Sequence, residues 1–173
     1  MSVILLTSRF DNKTWNESIS YRERESIKCI YCCPNKISEE ILPNSLIFVI
    51  EMNNDKNEIE GIGLIRNKIR YDKVHRVHEE GNFNRYIYAG NDRIDVTILL
   101  QHNPLLVETL NKILFKGKSH SKRGRGLIKL PKIGGKDPLS PELRSYCNQE
   151  LMSLFSTIKN KIQIDSFDNK TVC

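Results

Sequence analysis

LIFVIEMNNDKNEIEGIGLI, residues 46–65, is the stretch of sequence that decides the fold. Its first part, Leu46 to Met52, is almost continuously apolar and rich in β-branched side chains, which is typical of a buried strand. Five turn-forming polar residues, 53–57, separate it from a second apolar segment, Ile59 to Ile65. The stretch therefore predicts a β-hairpin.

The second arm of this hairpin carries two glycines, Gly61 and Gly63, on one face. Glycine inside a strand indicates strong curvature or the close approach of another group, such as a ligand, and curvature favours a small barrel. Apolar segments at Ser2–Phe10, Ile27–Cys33 and Arg85–Ala89 predict further strands. The expected fold class is α+β, with a small curved β-sheet or β-barrel flanked by helices.

Helices are predicted between and after these strands. Asp11 to Ile27 is polar and predicts a short helix or an irregular excursion, whereas Asn103 followed by Pro104 is a strong helix start. A C-terminal amphipathic helix is predicted over Pro141 to Ile162. Its apolar stripe consists of Leu143, Cys147, Leu151, Leu154, Ile158 and Ile162. The predicted organisation is an α+β domain (1–133), a linker (134–140), the C-terminal helix (141–162) and a disordered tail (163–173).

Composition excludes several classes of protein. The chain has 173 residues, 39% of them hydrophobic, which allows one domain with a modest core. No apolar run approaches the roughly 20 residues of a membrane-spanning helix, and Val3 to Leu6 is too short for the core of a signal peptide. Because five cysteines are an odd number, a disulfide framework is disfavoured. We expect an intracellular protein with reduced thiols and no membrane partner.

Positive charge is concentrated in one segment. The net charge is +6, yet no acidic residue lies between Glu108 and Asp137, where nine cations occur; the remainder has 18 cations and 21 acids, a net charge of −3. Such a segment indicates a localised anionic partner, and phosphate is the obvious candidate. The alternative is a solvated lysine face, which normally contains interspersed acids.

The segment FKGKSHSKRGRG, residues 115–126, combines cations, hydroxyls and glycines in the manner of a phosphate-binding loop. It lacks the spacing of a P-loop, so no nucleotide hydrolysis is predicted, and a loop that binds nothing specific is the alternative. The predicted phosphate contacts are Lys116, Lys118, His120, Lys122, Arg123 and Arg125.

Aromatic side chains near arginines predict a base-binding pocket, because bases stack on aromatic rings. Trp15 lies in a polar stretch with few apolar neighbours, and we predict it in the pocket with Tyr86 or Tyr88 and with Arg9. The alternative is that these aromatic residues belong to the core.

Metal-binding and catalytic patterns are weak. Zinc ligands could come from Cys29 and Cys32 or Cys33 with His75 and His78, although the cysteines read as part of a strand. Metal-dependent nuclease chemistry would need carboxylates as metal ligands, but positions at strand edges and in turns explain the available carboxylates equally well. His120 beside Ser119 and Ser121 is a weak indication of a catalytic triad. The carboxylates in question are Glu51, Glu58, Glu60, Asp92 and Asp95. We expect no metal site, no cofactor and no catalytic residue.

Five short strings carry a resemblance to a known group of proteins: TSRFDNKTW, SLIFVIEMNN, EIEGIGLIRN, NRYIYAG and FKGKSHSKRGRG. Over about residues 3–130 the chain resembles an uncharacterised family encoded by large nucleocytoplasmic DNA viruses of eukaryotes. This implies a giant-virus protein of the host cytoplasm, viral factory or virion, and it assigns no catalytic residues. The order of strands also resembles PUA-like domains of the EVE and YTH type, whose small barrels bind RNA or a modified base.

The sequence thus predicts a non-catalytic protein that binds nucleic acid, with RNA slightly favoured over single-stranded DNA. Two alternatives stay open. The first is a virion or assembly component that binds the viral genome and contacts a protein partner, or a second copy of the chain, through the C-terminal helix. The second is a metal-dependent nuclease.

Overall fold

The computed structural model describes residues 4–118, 120–130, 141, 144–145 and 148–157. The chain divides into two compact units, Met1–Pro138 and Leu139–Cys173. In the first unit the elements are β1 (Ile4–Phe10), α1 (Asn12–Glu25), β2 (Cys29–Cys33), β3 (Leu46–Asn53), β4 (Glu58–Arg66), a 3-10 helix (Gly81–Arg85), β5 (Tyr86–Gly90), β6 (Asp92–Asp95), α2 (Val96–His102), α3 (Pro104–Phe115) and β7 (Ile128–Lys129).

A mixed five-stranded sheet and a two-stranded sheet confirm the α+β class. The large sheet has the order β6-β4-β3-β1-β7, with β1 parallel to β3 and the other pairs antiparallel. The small sheet is the antiparallel pair β2-β5. Within the described residues β6 and β7 form opposite edges of an open sheet, so of the two predicted forms, a curved sheet or a small barrel, the barrel is wrong. The likeness to PUA-like domains stays a prediction.

The predicted hairpin is confirmed as β3 and β4, which pair from Leu46 opposite Arg66 to Asn53 opposite Glu58. On one face of β3, Ile47 and Val49 pack in a core cluster with Tyr31 and Tyr88 of the small sheet. On the large sheet, α2 and α3 contact β4. Covered in this way, β3 is buried from Ile47 to its end.

Helix α1 is longer than the polar sequence of this segment predicts. At its N-terminus the Asp11 carboxylate accepts a hydrogen bond from the Thr14 backbone N–H at 2.7 Å, and the Thr14 hydroxyl accepts one from the Asp11 N–H at 3.0 Å. This capping box satisfies two backbone donors that a helix start leaves free. A left-handed Ser26 ends the helix after 14 residues. Capping, rather than an apolar stripe, defines the bounds of α1.

A carboxylate is buried where the two sheets meet. Glu51 of β3 is 1% exposed, and its oxygens accept hydrogen bonds from the Tyr31 hydroxyl at 2.8 Å and from Arg93 Nη2 at 2.7 Å and Nε at 2.9 Å. Arg22 Nη1 of α1 lies 4.0 Å from the same carboxylate. Burial is the first cause that raises the pKa of Tyr31 well above its usual value, so its hydroxyl stays a proton donor.

Gly61 and Gly63 make room for this buried group. A Cβ at Gly63 would overlap the Tyr31 hydroxyl and lie 2.9 Å from Cys29 Sγ, and one at Gly61 would lie 2.7 Å from Arg93 Nη2. The close approach that the sequence indicates is therefore made by side chains of the protein itself.

The remaining elements show where sequence patterns succeed and fail. The predicted helix start at Asn103 and Pro104 is confirmed in α3, and a short strand forms at Ile128–Lys129. Strand β6 is not predicted, because Asp92–Asp95 contains three charged residues among four.

The predicted C-terminal helix is described only in part. Residues 148–157 are helical, but Leu143, Cys147, Ile158 and Ile162 lie outside the described residues, as do the linker and tail. The helix from Pro141 to Ile162 therefore stays a prediction. In the described part of the chain no helix is long and apolar enough to span a membrane.

We predict that Gly63→Ala destabilises the domain by about 1–3 kcal/mol or more, because the added methyl group must displace the Tyr31 hydroxyl from Glu51. Gly81→Ala is the matched control, since a Cβ there has no atom within 4 Å. Urea unfolding followed by circular dichroism measures both. Equal stability of the two variants would contradict the close packing at Gly63.

Candidate nucleic-acid interface

The basic loop, defined as residues 116–127, is attached to the domain through backbone groups. The Ser121 N–H donates to the Leu114 carbonyl at 2.7 Å, and the Ser121 carbonyl accepts from Arg9 Nε. The Lys122 carbonyl accepts from Asn54 Nδ2 at 2.9 Å. These bonds connect the loop to the end of α3, to β1 and to the turn of the hairpin, and none of them uses a lysine or arginine side chain of the loop.

Glycine backbone geometry brings the loop back onto β1. Gly124 has φ of +121°, and a Cβ there would lie 2.5 Å from Ile128 Cδ1 and 3.6 Å from Arg9 Cζ. Gly126 has φ of +76° and packs near Cys33 and Pro34. Because other residues rarely adopt such φ values, these two glycines are needed for the path of the loop.

The predicted phosphate contacts remain free of carboxylates. Within the described residues, neither the five lysine and arginine side chains that the sequence analysis selected nor His120 forms an ion pair; His120 and Lys122 are half-buried and the other four are exposed. These are Lys116, Lys118, His120, Lys122, Arg123 and Arg125. By contrast, Lys129 in β7 pairs with Glu40 at 2.5 Å. The loop therefore presents positive charge that the fold does not neutralise.

Arg9 is a predicted pocket residue that contacts the basic loop through a hydrogen bond. It lines a pocket of about 380 Å³ together with Arg125 and Gly124. Burial lowers the pKa of Arg9 to about 10, and its Nη1 atom is buried with no hydrogen-bond partner in the described structure. At neutral pH the guanidinium remains charged.

Trp15 is a core residue, which corrects the prediction of a base-binding role. Its side chain is 7% exposed and packs edge-to-face on Phe10 with 5.0 Å between the ring centroids. The guanidinium groups of Arg22 and Arg93 lie over its ring at 4.9 and 5.5 Å. Its polar neighbours in the sequence lie on other faces of α1, so their polarity does not indicate what surrounds the indole.

Tyr88 is also unavailable for stacking on a base. It is 1% exposed, and its hydroxyl accepts a hydrogen bond from the Ile37 N–H at 3.1 Å. Tyr86 is half-buried on the same core-facing side of β5, with Lys36 and Arg85 each 5.7 Å from its ring. Side chains two residues apart in a strand lie on the same face, so Tyr86 lies on the face of β5 whose other tyrosine, Tyr88, is buried in the core.

The cysteine and histidine residues have separate surroundings. Cys29 Sγ contacts the Gly90 carbonyl at 3.5 Å, His75 bonds to the Tyr21 hydroxyl at 2.7 Å, and His78 bonds to Glu17 at 2.8 Å. Among residues that the structure describes, no group of three or more His, Cys, Asp or Glu side chains could hold a metal ion.

Three of the five carboxylates considered for a nuclease have structural roles in the fold. Glu51 pairs with Arg93, Glu60 pairs with Lys56 at 2.6 Å, and Asp95 caps α2 through the Thr97 N–H at 3.0 Å. In the basic loop His120 Nδ1 accepts from the Lys122 N–H at 3.4 Å, and Ser119 lies outside the described residues.

Several residues of the pocket escaped the sequence analysis. Glu17, His78 and Phe83 line it together with Arg9; Glu17 lies in α1, whereas His78 and Phe83 lie close together just before β5. No spacing in the sequence connects them. Asn54, which anchors the loop, reads only as a turn residue.

No protein-family model, curated protein or solved structure matches the chain.

We predict that Trp15→Ala lowers the free energy of unfolding by roughly 3–5 kcal/mol, because it leaves a cavity beside Phe10 and exposes two arginines. Chemical unfolding measures the loss, and Trp15→Phe serves as the control that retains most of the ring. Tryptophan emission from the native protein should be blue-shifted and shielded from acrylamide. An exposed emission spectrum with unchanged stability of Trp15→Ala would contradict the core placement.

We also predict that Cys29, Cys32 and Cys33 resist alkylation in the native protein. Burial raises the pKa of Cys29 and of Cys33 to about 12 and that of Cys32 well above its usual value, so little reactive thiolate forms at neutral pH. Iodoacetamide labelling with peptide mass spectrometry reads each site, and the same labelling in urea is the control. Rapid modification of any of the three in the folded protein would be inconsistent with this burial.

Proposed function

We propose that the protein is a non-catalytic, single-stranded nucleic-acid-binding protein whose basic loop contacts the phosphate backbone. The observation that carries the proposal is a set of five lysine and arginine side chains on one anchored loop that form no ion pair with a described carboxylate. Elsewhere on the domain, Lys13, Lys56 and Lys73 pair with acids. Unneutralised cations attract polyanions, and their binding releases condensed counterions.

The way the loop is attached supports binding. Hydrogen bonds at the carbonyls of Ser121 and Lys122 restrict the backbone before a ligand arrives, which reduces the conformational entropy lost on binding. Arg123 and Arg125 remain exposed and able to adjust to phosphates. Burial of Trp15 and Tyr88 removes two stacking platforms, so the proposal rests on phosphate contacts rather than on an aromatic pocket.

Preference for RNA over DNA is part of the proposal, as are giant-virus origin and location in the host cytoplasm, viral factory or virion. Phosphate contacts alone act on both polymers, so a preference would arise from contacts to the ribose 2′-hydroxyl. Binding of a matched RNA and DNA strand under one salt condition compares them directly.

We predict that replacing Lys122, Arg123 and Arg125 with Ala lowers the slope of log K against log salt by about 2, since each phosphate contact on a single strand contributes about 0.7. Fluorescence anisotropy with a labelled uridine oligonucleotide over a salt series measures the slope. Affinity at low salt should fall as well.

The matched control is Lys28→Ala, Lys68→Ala and Arg76→Ala in one chain, which removes the same charge from exposed sites outside the loop. Its salt slope should stay close to that of the parent. If both triple variants reduce the slope equally, net charge rather than the basic loop determines binding, and the proposed interface is wrong.

A further inference from the structure

The pocket beside the basic loop contains an arginine whose charge the fold leaves uncompensated. Only the Nε–H of Arg9 has an acceptor in the described structure, the Ser121 carbonyl, and no described carboxylate forms an ion pair with this side chain. A guanidinium removed from water without a counter-charge is unfavourable. The lowered pKa of Arg9 reflects the same burial. A small anion in the pocket would supply the missing charge.

The acidic residues of the pocket do not fill this role. Asp11 accepts bonds from the Thr14 N–H at 2.7 Å and hydroxyl at 2.8 Å, and Glu17 bonds to His78 at 2.8 Å. Glu80 is exposed. Among the basic residues of the pocket, Arg125 forms no ion pair with any described residue. Arg9 and Arg125 thus form a pair of arginines available to one anion.

The remaining wall of the pocket suits a larger group attached to that anion. Phe83 is half-buried there, with its ring centroid 6.1 Å from that of His78 in an edge-on arrangement. The volume of about 380 Å³ accommodates one nucleotide and not several. Because arginine pairs bidentately with unsubstituted phosphate oxygens, a phosphomonoester, with three such oxygens, fits two arginines better than a diester with two.

We propose, building on the nucleic-acid binding proposed above, that this pocket binds a nucleoside monophosphate unit, with the phosphate at Arg9 and Arg125 and the base against Phe83. The unit is either the phosphorylated end of a strand or a free mononucleotide. The basic loop then holds the strand that leads away from the pocket.

The test compares uridine oligonucleotides that carry a 5′-phosphate, a 3′-phosphate or only hydroxyl ends, each labelled at the other end, by fluorescence anisotropy. We expect one phosphorylated end to bind about tenfold more tightly than the hydroxyl strand. Arg9→Met, which also removes the bond to the Ser121 carbonyl, should reduce the ratio of the two affinities to about one, whereas Arg76→Met, an exposed control, should retain the tenfold ratio. The comparison of phosphorylated and hydroxyl strands uses the wild-type protein, so it tests the pocket even if Arg9→Met does not fold. Equal affinity for all three strands would contradict binding of a phosphorylated end.

Calorimetry with free AMP, UMP and inorganic phosphate separates the sources of the ligand. Mononucleotide binding without binding of any strand supports the pocket and overturns the proposed function. Strand binding that ignores terminal phosphate, with no mononucleotide binding, overturns the pocket and leaves the proposed function intact. Inorganic phosphate that binds as tightly as AMP and UMP overturns the nucleotide assignment.

Discussion

The ion pair between Glu51 and Arg93 is the constraint on which the arrangement of the two sheets depends. A carboxylate that is 1% exposed requires partners, because removing one side of a buried pair typically costs about 3–5 kcal/mol. Its partners come from different elements: Tyr31 from β2, Arg93 from β6 and, at 4.0 Å, Arg22 from α1. The small sheet, the edge of the large sheet and the first helix must therefore all be in place around one charged group.

The surroundings of Trp15 follow from this constraint. Arg22 and Arg93 lie close to Glu51, and their guanidinium groups also lie over the indole ring. A cation that pairs with a carboxylate and stacks on an aromatic ring is satisfied without water. The indole is thus covered by Arg22, two turns further along α1, and by Arg93, which is distant along the chain. A spacing of seven within one helix places Arg22 on the face of Trp15, but no pattern in the sequence places Arg93 of β6 beside it.

Sequence patterns over a few neighbouring residues predicted the elements whose formation depends on those residues alone. The hairpin follows from alternating apolar segments around a turn, and α3 follows from Asn103 and Pro104. Strand β6 and the open sheet could not be predicted in this way. The charged residues of Asp92–Asp95 belong in a strand only because Arg93 reaches Glu51 and Asp95 caps α2. Of the candidate site, the cations of the loop were predictable from composition, but their attachment at Arg9 and Asn54 was not.

Two groups of cations in the protein have different physical roles. Arg22 and Arg93 are buried beside Glu51, where their charge contributes to the stability of the fold. The arginines of the basic loop form no ion pair with the described residues, and the loop is fixed by backbone carbonyls instead. Substituting Arg123 or Arg125 therefore removes no hydrogen bond or ion pair to a described residue. Because folding and charge presentation use different groups, the proposed binding of a polyanion at the basic loop would need no rearrangement of the core.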